Sequence, residues 1–169
     1  MYPRQILTTA LLLACNLAYA VPADFQAPID IEAEYVEIDS QDGLSIYRGN
    51  VKLTRGTLEI TADQVRIQQI NNDGHVKATI IGQPARYTQQ PTTSANPLVA
   101  AAQEIVYFSS DDVIEMRGKA NLTRDADVVT SDLIRYDMRR DLIIAGNDER
   151  DPNSNERVRI TIQPTTVRQ

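Results

Sequence analysis

The chain has 169 residues, with 17 basic side chains against 23 acidic ones and a formal net charge of −6. That balance lacks the concentrated basic surface a nucleic-acid binder needs to displace counterions, and it disfavours electrostatic docking on anionic membrane. One cysteine, Cys15, and one histidine, His75, leave no disulfide pair and no ligand set for zinc.

Residues 1–20 read as an export signal. Arg4 gives the positive start, Ile6 to Ala14 a short apolar run, and Ala18-Tyr19-Ala20 a small-x-small cleavage site. The run is shorter than the roughly 20 apolar residues that span a bilayer, so an uncleaved anchor is the lesser alternative. Leu12-Leu13-Ala14-Cys15 also resembles a lipoprotein box that would acylate Cys15, but Leu13 is bulky for its place there. Cleavage after Ala20 leaves residues 21–169 as one cysteine-free domain, large enough to bury its own core.

Beyond the signal, apolar and polar residues alternate, the pattern of strands with one buried face. Ile29-Asp30-Ile31-Glu32-Ala33 is the first such strand. Val36-Glu37-Ile38, Leu44-Ser45-Ile46, Val51-Lys52-Leu53, Leu58-Glu59-Ile60 and Val65-Arg66-Ile67 follow. Turn residues at Gln41-Asp42-Gly43, Arg48-Gly49-Asn50 and Arg55-Gly56 separate them. Residues 88–96, rich in Thr, Gln and Pro, read as the loop joining two halves, and residues 97–102 as one helical turn at most. Ile105-Val106-Tyr107, Ile114-Glu115-Met116, Ala120-Asn121-Leu122, Ile134-Arg135-Tyr136 and Leu142-Ile143-Ile144 make up the second set. A polar turn at 148–156 leads to Val158-Arg159-Ile160-Thr161-Ile162, which ends before Pro164. The expected fold class is all-β.

The two sets are copies. Gly49-Asn50-Val51-Lys52-Leu53-Thr54-Arg55 returns as Gly118-Lys119-Ala120-Asn121-Leu122-Thr123-Arg124, an offset of 69 residues. Ala62-Asp63-Gln64-Val65-Arg66-Ile67 returns at the same offset as Ser131-Asp132-Leu133-Ile134-Arg135-Tyr136. Within each half, a related element recurs at a step of 29, from Ala33 to Ala62 and from Ala102 to Ser131. Such repeats stack and bury a shared core, so two pseudo-repeats are expected at about residues 27–87 and 98–164. Tryptophan is absent, and Ile, Leu and Val fill the alternating positions. An aliphatic slot suits acyl chains better than sugars or bases, although the same pattern fills an ordinary β-sandwich core.

Catalytic chemistry is not legible. His75 follows Asn71-Asn72-Asp73-Gly74 and reads as a turn residue, and no Gly-x-Ser-x-Gly elbow is present. Asp111-Asp112 and Asp125-x-Asp127 lie between strands, where Asp favours turns. Paired carboxylates of the glycosidase kind are set in space and leave no spacing to read. No enzyme activity, metal or cofactor is expected.

The repeating residues also carry a family resemblance. Ile29 to Glu34, Tyr47 to Gly56 and Leu58 to Val65 resemble the OstA-like, LptA-type domain family of periplasmic lipopolysaccharide-transport proteins. Gly82-Gln83-Pro84-Ala85-Arg86-Tyr87 fits that family's Gly-x-Pro-Ala segment, and Ala102 to Tyr107, Gly118 to Leu122 and Ser131 to Tyr136 fit its second half. The resemblance implies an open, twisted antiparallel β-jellyroll. It implies binding of lipopolysaccharide through the lipid A acyl chains and carriage across the periplasm from inner to outer membrane. Head-to-tail self-association, an LptC-type inner-membrane partner and an LptD-type outer-membrane partner are implied too. ATP would be spent elsewhere in such a system.

Alternation assigns the inward face to Ile29, Ile31, Val36, Ile38, Leu44, Ile46, Val51, Leu53, Leu58, Ile60, Val65 and Ile67 in the first half. In the second half it assigns Ile105, Tyr107, Ile114, Met116, Leu122, Ile134, Tyr136 and Ile144. The resemblance makes these the lipid-binding groove. The docking edges are expected at Ile29, Asp30, Ile31 and Glu32, and at Val158, Arg159, Ile160, Thr161 and Ile162. An LptC-like protein, a lipidated OstA-domain protein and a structural β-adaptor without ligand are the alternatives.

Overall fold

The computed structural model describes residues 27–70, 74–91, 96–146 and 157–163. The expected signal, Cys15, the 148–156 turn and Pro164 lie outside the described residues. The described elements are β1 (Asp30–Glu32), β2 (Tyr35–Asp39), β3 (Leu44–Arg55), β4 (Leu58–Gln69), β5 (Val76–Gln89), β6 (Leu98–Phe108), β7 (Val113–Arg124), β8 (Asp127–Asp137), β9 (Leu142–Gly146) and β10 (Arg159–Thr161).

All ten strands belong to one antiparallel sheet in the order β1-β3-β4-β5-β6-β7-β8-β10. Its two ends are built alike. β1 and β2 pair with different halves of β3, and β9 and β10 pair with different halves of β8. The sheet is open, and its first and last rungs are each a strand broken in two.

The repeats in the sequence are repeats in the fold. At the offset of 69, β3 falls on β7 and the start of β4 falls on the start of β8. The segments of β1 and β2 fall on β6, and β5 falls across the interval that begins in β9 and ends beside β10.

Strands β3 to β8 contain 11 to 14 residues each, about twice the usual length. A strand that long does not stay flat. Every ladder between them shifts register near its middle, between Arg48 and Val51, Thr61 and Gln64, Ile81 and Ala85, Ala101 and Glu104, and Arg117 and Ala120. Bulges bend strands and increase twist, so a row of them across a sheet makes a fold line. The line alternates between two chemistries. Gly49-Asn50 and Gly118-Lys119 are consecutive left-handed residues, with φ of 79° and 44° in the first pair and 72° and 52° in the second. Neighbouring strands step past the line at Ala62-Asp63 on β4, Ala102-Gln103 on β6 and Asp132 on β8. On β5 the step is Gly82-Gln83-Pro84, with a cis peptide before the proline.

The fold line divides the sheet into two facing layers that share one core. Ile80, Ile105, Ile114, Met116 and Ile134 of the first layer are fully buried (0% exposed). They pack in one cluster with Leu53, Ile60, Tyr87, Ala100 and Leu122 of the second. Residues 97–102 are not a helical turn: from Leu98 they begin β6, with Ala100 and Ala102 buried in the core.

Candidate functional site

The register resolves the inner face into rows that cross the whole sheet. One row of the second layer runs Ile31, Leu53, Ile60, Tyr87, Ala100, Leu122, Val129, Ile160, each opposite the next. A row of the first layer runs Val36, Tyr47, Val65, Ile80, Ile105, Met116, Ile134, Ala145. Beside it runs Ile38, Ser45, Ile67, Ala78, Tyr107, Ile114, Tyr136, Ile143. Directly opposed residues of an antiparallel pair share a face, so these rows line one continuous slot. Val51 joins the same core and Leu58 packs against it.

Three residues expected on this face lie on the other. Leu44 opposes Asp39 and Gln68, Ile46 opposes Glu37 and Arg66, and Ile144 opposes Arg135. Their places inside are taken by Ser45, Tyr47 and Ile143. Ile46 is nevertheless buried, since long side chains such as Arg66 and Glu37 cover apolar neighbours with their stems. Ile80, Ala85, Tyr87, Ala100 and Val129 are core residues that alternation alone did not mark. The family-like segment Gly82-Gln83-Pro84-Ala85-Arg86-Tyr87 was the available signal for two of them.

The slot is closed in the middle and apolar at both ends. Ile29, Val36 and Ile38 are 53%, 48% and 64% exposed at the first rung. Val158, Ile160 and Ile162 are exposed at the last, where with Leu122, Val129 and Ile143 they line a cavity of about 270 Å³. The strands carrying these ends, β1 with β2 and β9 with β10, are the sheet's edges. The docking segments expected from sequence occupy one piece of each broken edge, and β2 and β9 supply the other.

Along the open side, two rims face each other. The turns 109–112 and 138–141 form the rim of the first layer, and 56–57 and 125–126 that of the second. Tyr107 donates to Asp112 Oδ1 at 3.0 Å, and 29 residues on Tyr136 donates to Asp141 Oδ1 at 3.0 Å. Burial, and then the adjacent Asp112 carboxylate, pushes the Tyr107 phenol far above its ordinary range; burial and Asp141 raise Tyr136 in the same direction. Asp112 also accepts from Arg139 Nε at 3.0 Å, on its own layer. Asp141 instead accepts from Arg124 Nη1, which reaches it from the opposite layer.

Residues 30–142 match the family model described as the LptA/(LptD N-terminal domain) LPS transport protein. The chain belongs to this family. It is 30% identical over 154 residues to the lipopolysaccharide export system protein LptH of Pseudomonas aeruginosa, covering 90% of this chain and 88% of that one. It is 28% identical over 145 residues to the export system protein LptA of Escherichia coli K12, covering 85% and 78% respectively. The crystal structure of LptH, described as the LptA-homologous periplasmic component of the lipopolysaccharide transport device, superposes with a TM-score of 0.76. That match has 28% identity and covers 85% of this chain and 100% of LptH. Each segment that carried the resemblance in sequence reaches the fold line, at Glu34, Gly49-Asn50, Ala62-Asp63, Gly82-Gln83-Pro84, Gln103, Gly118 and Asp132.

Proposed function

We propose that this chain binds lipopolysaccharide through the acyl chains of its lipid A and carries it across the periplasm from the inner to the outer membrane. It does so as one unit of a head-to-tail protein bridge. The observation that carries this reading is the row from Ile31 to Ile160, which crosses every rung and surfaces at both edges. A lipid with several acyl chains does not cross water bare, because each exposed methylene costs about 0.8 kcal/mol. A continuous, largely apolar slot removes that cost without fixing the ligand at one point, so the ligand can slide.

The exposed edges suit a second role. Unpaired strand edges are ordinarily an aggregation hazard, and addition of a partner strand satisfies them. Two different edges, one at each end, make a heterologous contact that extends indefinitely. The same edges would receive an LptC-type partner at the inner membrane and an LptD-type partner at the outer. Because Ile80, Ile105 and Ile134 are fully buried, loading requires the two layers to part along their rims.

Native mass spectrometry of the mature protein, with and without added lipopolysaccharide, tests the reading. A chain beginning at Val21 that gains the mass of the lipid supports it, and a ladder of oligomers supports the bridge. A chain acylated at Cys15 would place it on a membrane instead. Absence of any lipid uptake would leave a structural β-adaptor with a filled core.

A further inference from the structure

We propose that Arg124 is an anion-recognising residue at the mouth of the slot, holding Asp141 when the slot is closed and a lipid phosphate when it is loaded. This rests on the lipid-carrier reading and adds a polar recognition point to it.

Arg124 follows Leu122 by two residues on β7 and so points from the inner face at the rim of the second layer. Asp141 lies in the 138–141 turn, on the rim of the first. Along β8 these rims are separated by the whole strand, and only the fold line brings them together. Their ion pair therefore spans the mouth. The equivalent carboxylate 29 residues earlier, Asp112, has the same tyrosine bond but is held by Arg139 from its own rim. Arg55, 69 residues before Arg124 and on the same rim, acts electrostatically on Tyr107, so each half sets an arginine of the second layer near a Tyr-Asp pair of the first.

Two observations point to a ligand. The Arg124 and Asp141 side chains are 28% and 62% exposed. Asp141 is the exposed partner, open to replacement by another anion, while Arg124 is half-buried on the inner side of the pair. Arg124 also lines, with Asp127, the cavity floored by Leu122, Val129, Ile143 and Ile160. A guanidinium beside an apolar floor fits an amphiphile with an anionic head, and its planar fork suits phosphate better than a single carboxylate oxygen.

The test uses the mature wild-type chain and its Arg124→Gln, Asp141→Asn and Asp112→Asn variants, each checked for an unchanged unfolding transition. Affinities are measured for lipid A carrying its phosphates and for dephosphorylated lipid A. Arg124→Gln is expected to weaken the phosphorylated lipid about tenfold, the loss of one charge-assisted hydrogen-bonded contact, and to leave the dephosphorylated one unchanged. Asp141→Asn removes one of the guanidinium's two carboxylate partners, leaving Asp125 at 3.7 Å, and is expected to tighten the phosphorylated lipid about threefold, while Asp112→Asn does not. Equal effects of Arg124→Gln on both lipids, or no effect on either, overturn the proposal while leaving the carrier reading intact. Uptake of neither lipid by the wild type overturns both. Inorganic phosphate alone, at millimolar concentration, should not compete; full competition would make this a free-anion site and overturn the lipid assignment.

Discussion

Glu34 lies over Gly49 on the neighbouring rung so closely that a methyl group on the glycine would come within 2.8 Å of the Glu34 Cβ. Gln103 stands over Gly118 in the same way in the second repeat, at 3.1 Å. Asn50 donates to the Glu34 carboxylate, which fixes that side chain against the bulge. Both glycines also have left-handed φ, which a side chain disfavours by about 1–2 kcal/mol. Gly118→Ala is therefore expected to lose at least that much in urea unfolding, and Gly49→Ala to lose more. The reverse order would mean that the packing over the bulge does not set the bend.

The core should be sharply graded along the slot. Ile105→Ala empties a fully buried position and is expected to cost about 2–5 kcal/mol. Ile38→Ala, 64% exposed at the first rung, should change stability by no more than about 0.5 kcal/mol. Comparable losses at both sites would contradict an end that is open.

Much of this architecture was legible in sequence, because the repeat offset and the alternation record real stacking. Leu58, Ile60, Val65 and Ile67 read correctly across β4, since its step at Ala62-Asp63 changes the phase of the pattern visibly. β5 was not among the strands read from sequence, since Gly82 and Pro84 interrupt its alternation, although a bulge accommodates both. β6 begins in an alanine run that carries no alternation. Leu44, Ile46 and Ile144 were misassigned where apolar residues occupy both faces, so that pattern alone has two solutions and only register selects one. The Arg124–Asp141 contact left no trace in the sequence, as it exists only after the sheet folds on itself.

The edges yield a third expectation. Ile160 opposes Val129 on β8 and is 58% exposed. Ile160→Pro removes a backbone donor from this three-residue strand and should abolish end-to-end association in light scattering. Unchanged oligomer size would place the contact elsewhere.

Tyrosine titration gives a fourth. Tyr107 and Tyr136 both have folded-state pKa values raised above the ordinary 10.0. The folded chain then keeps protons that the unfolded chain releases, so their contribution is complete below about pH 10 and declines as pH rises beyond it. Phenolate absorbance should show a late-ionising fraction that shrinks in Tyr107→Phe, Tyr136 supplying the remainder. Ionisation of every phenol in the ordinary range would contradict the buried Tyr107–Asp112 pair.

Neighbouring side chains on opposite faces give the most direct test of the slot itself. Ile31 and Ile143 lie on the inner face, and Asp30 and Ile144, their neighbours in sequence, on the outer. Photocrosslinkers placed singly at these four positions, in protein carrying lipopolysaccharide, should capture lipid A at Ile31 and Ile143 and little at Asp30 and Ile144. Equal capture at all four would contradict transport of the acyl chains between the two layers.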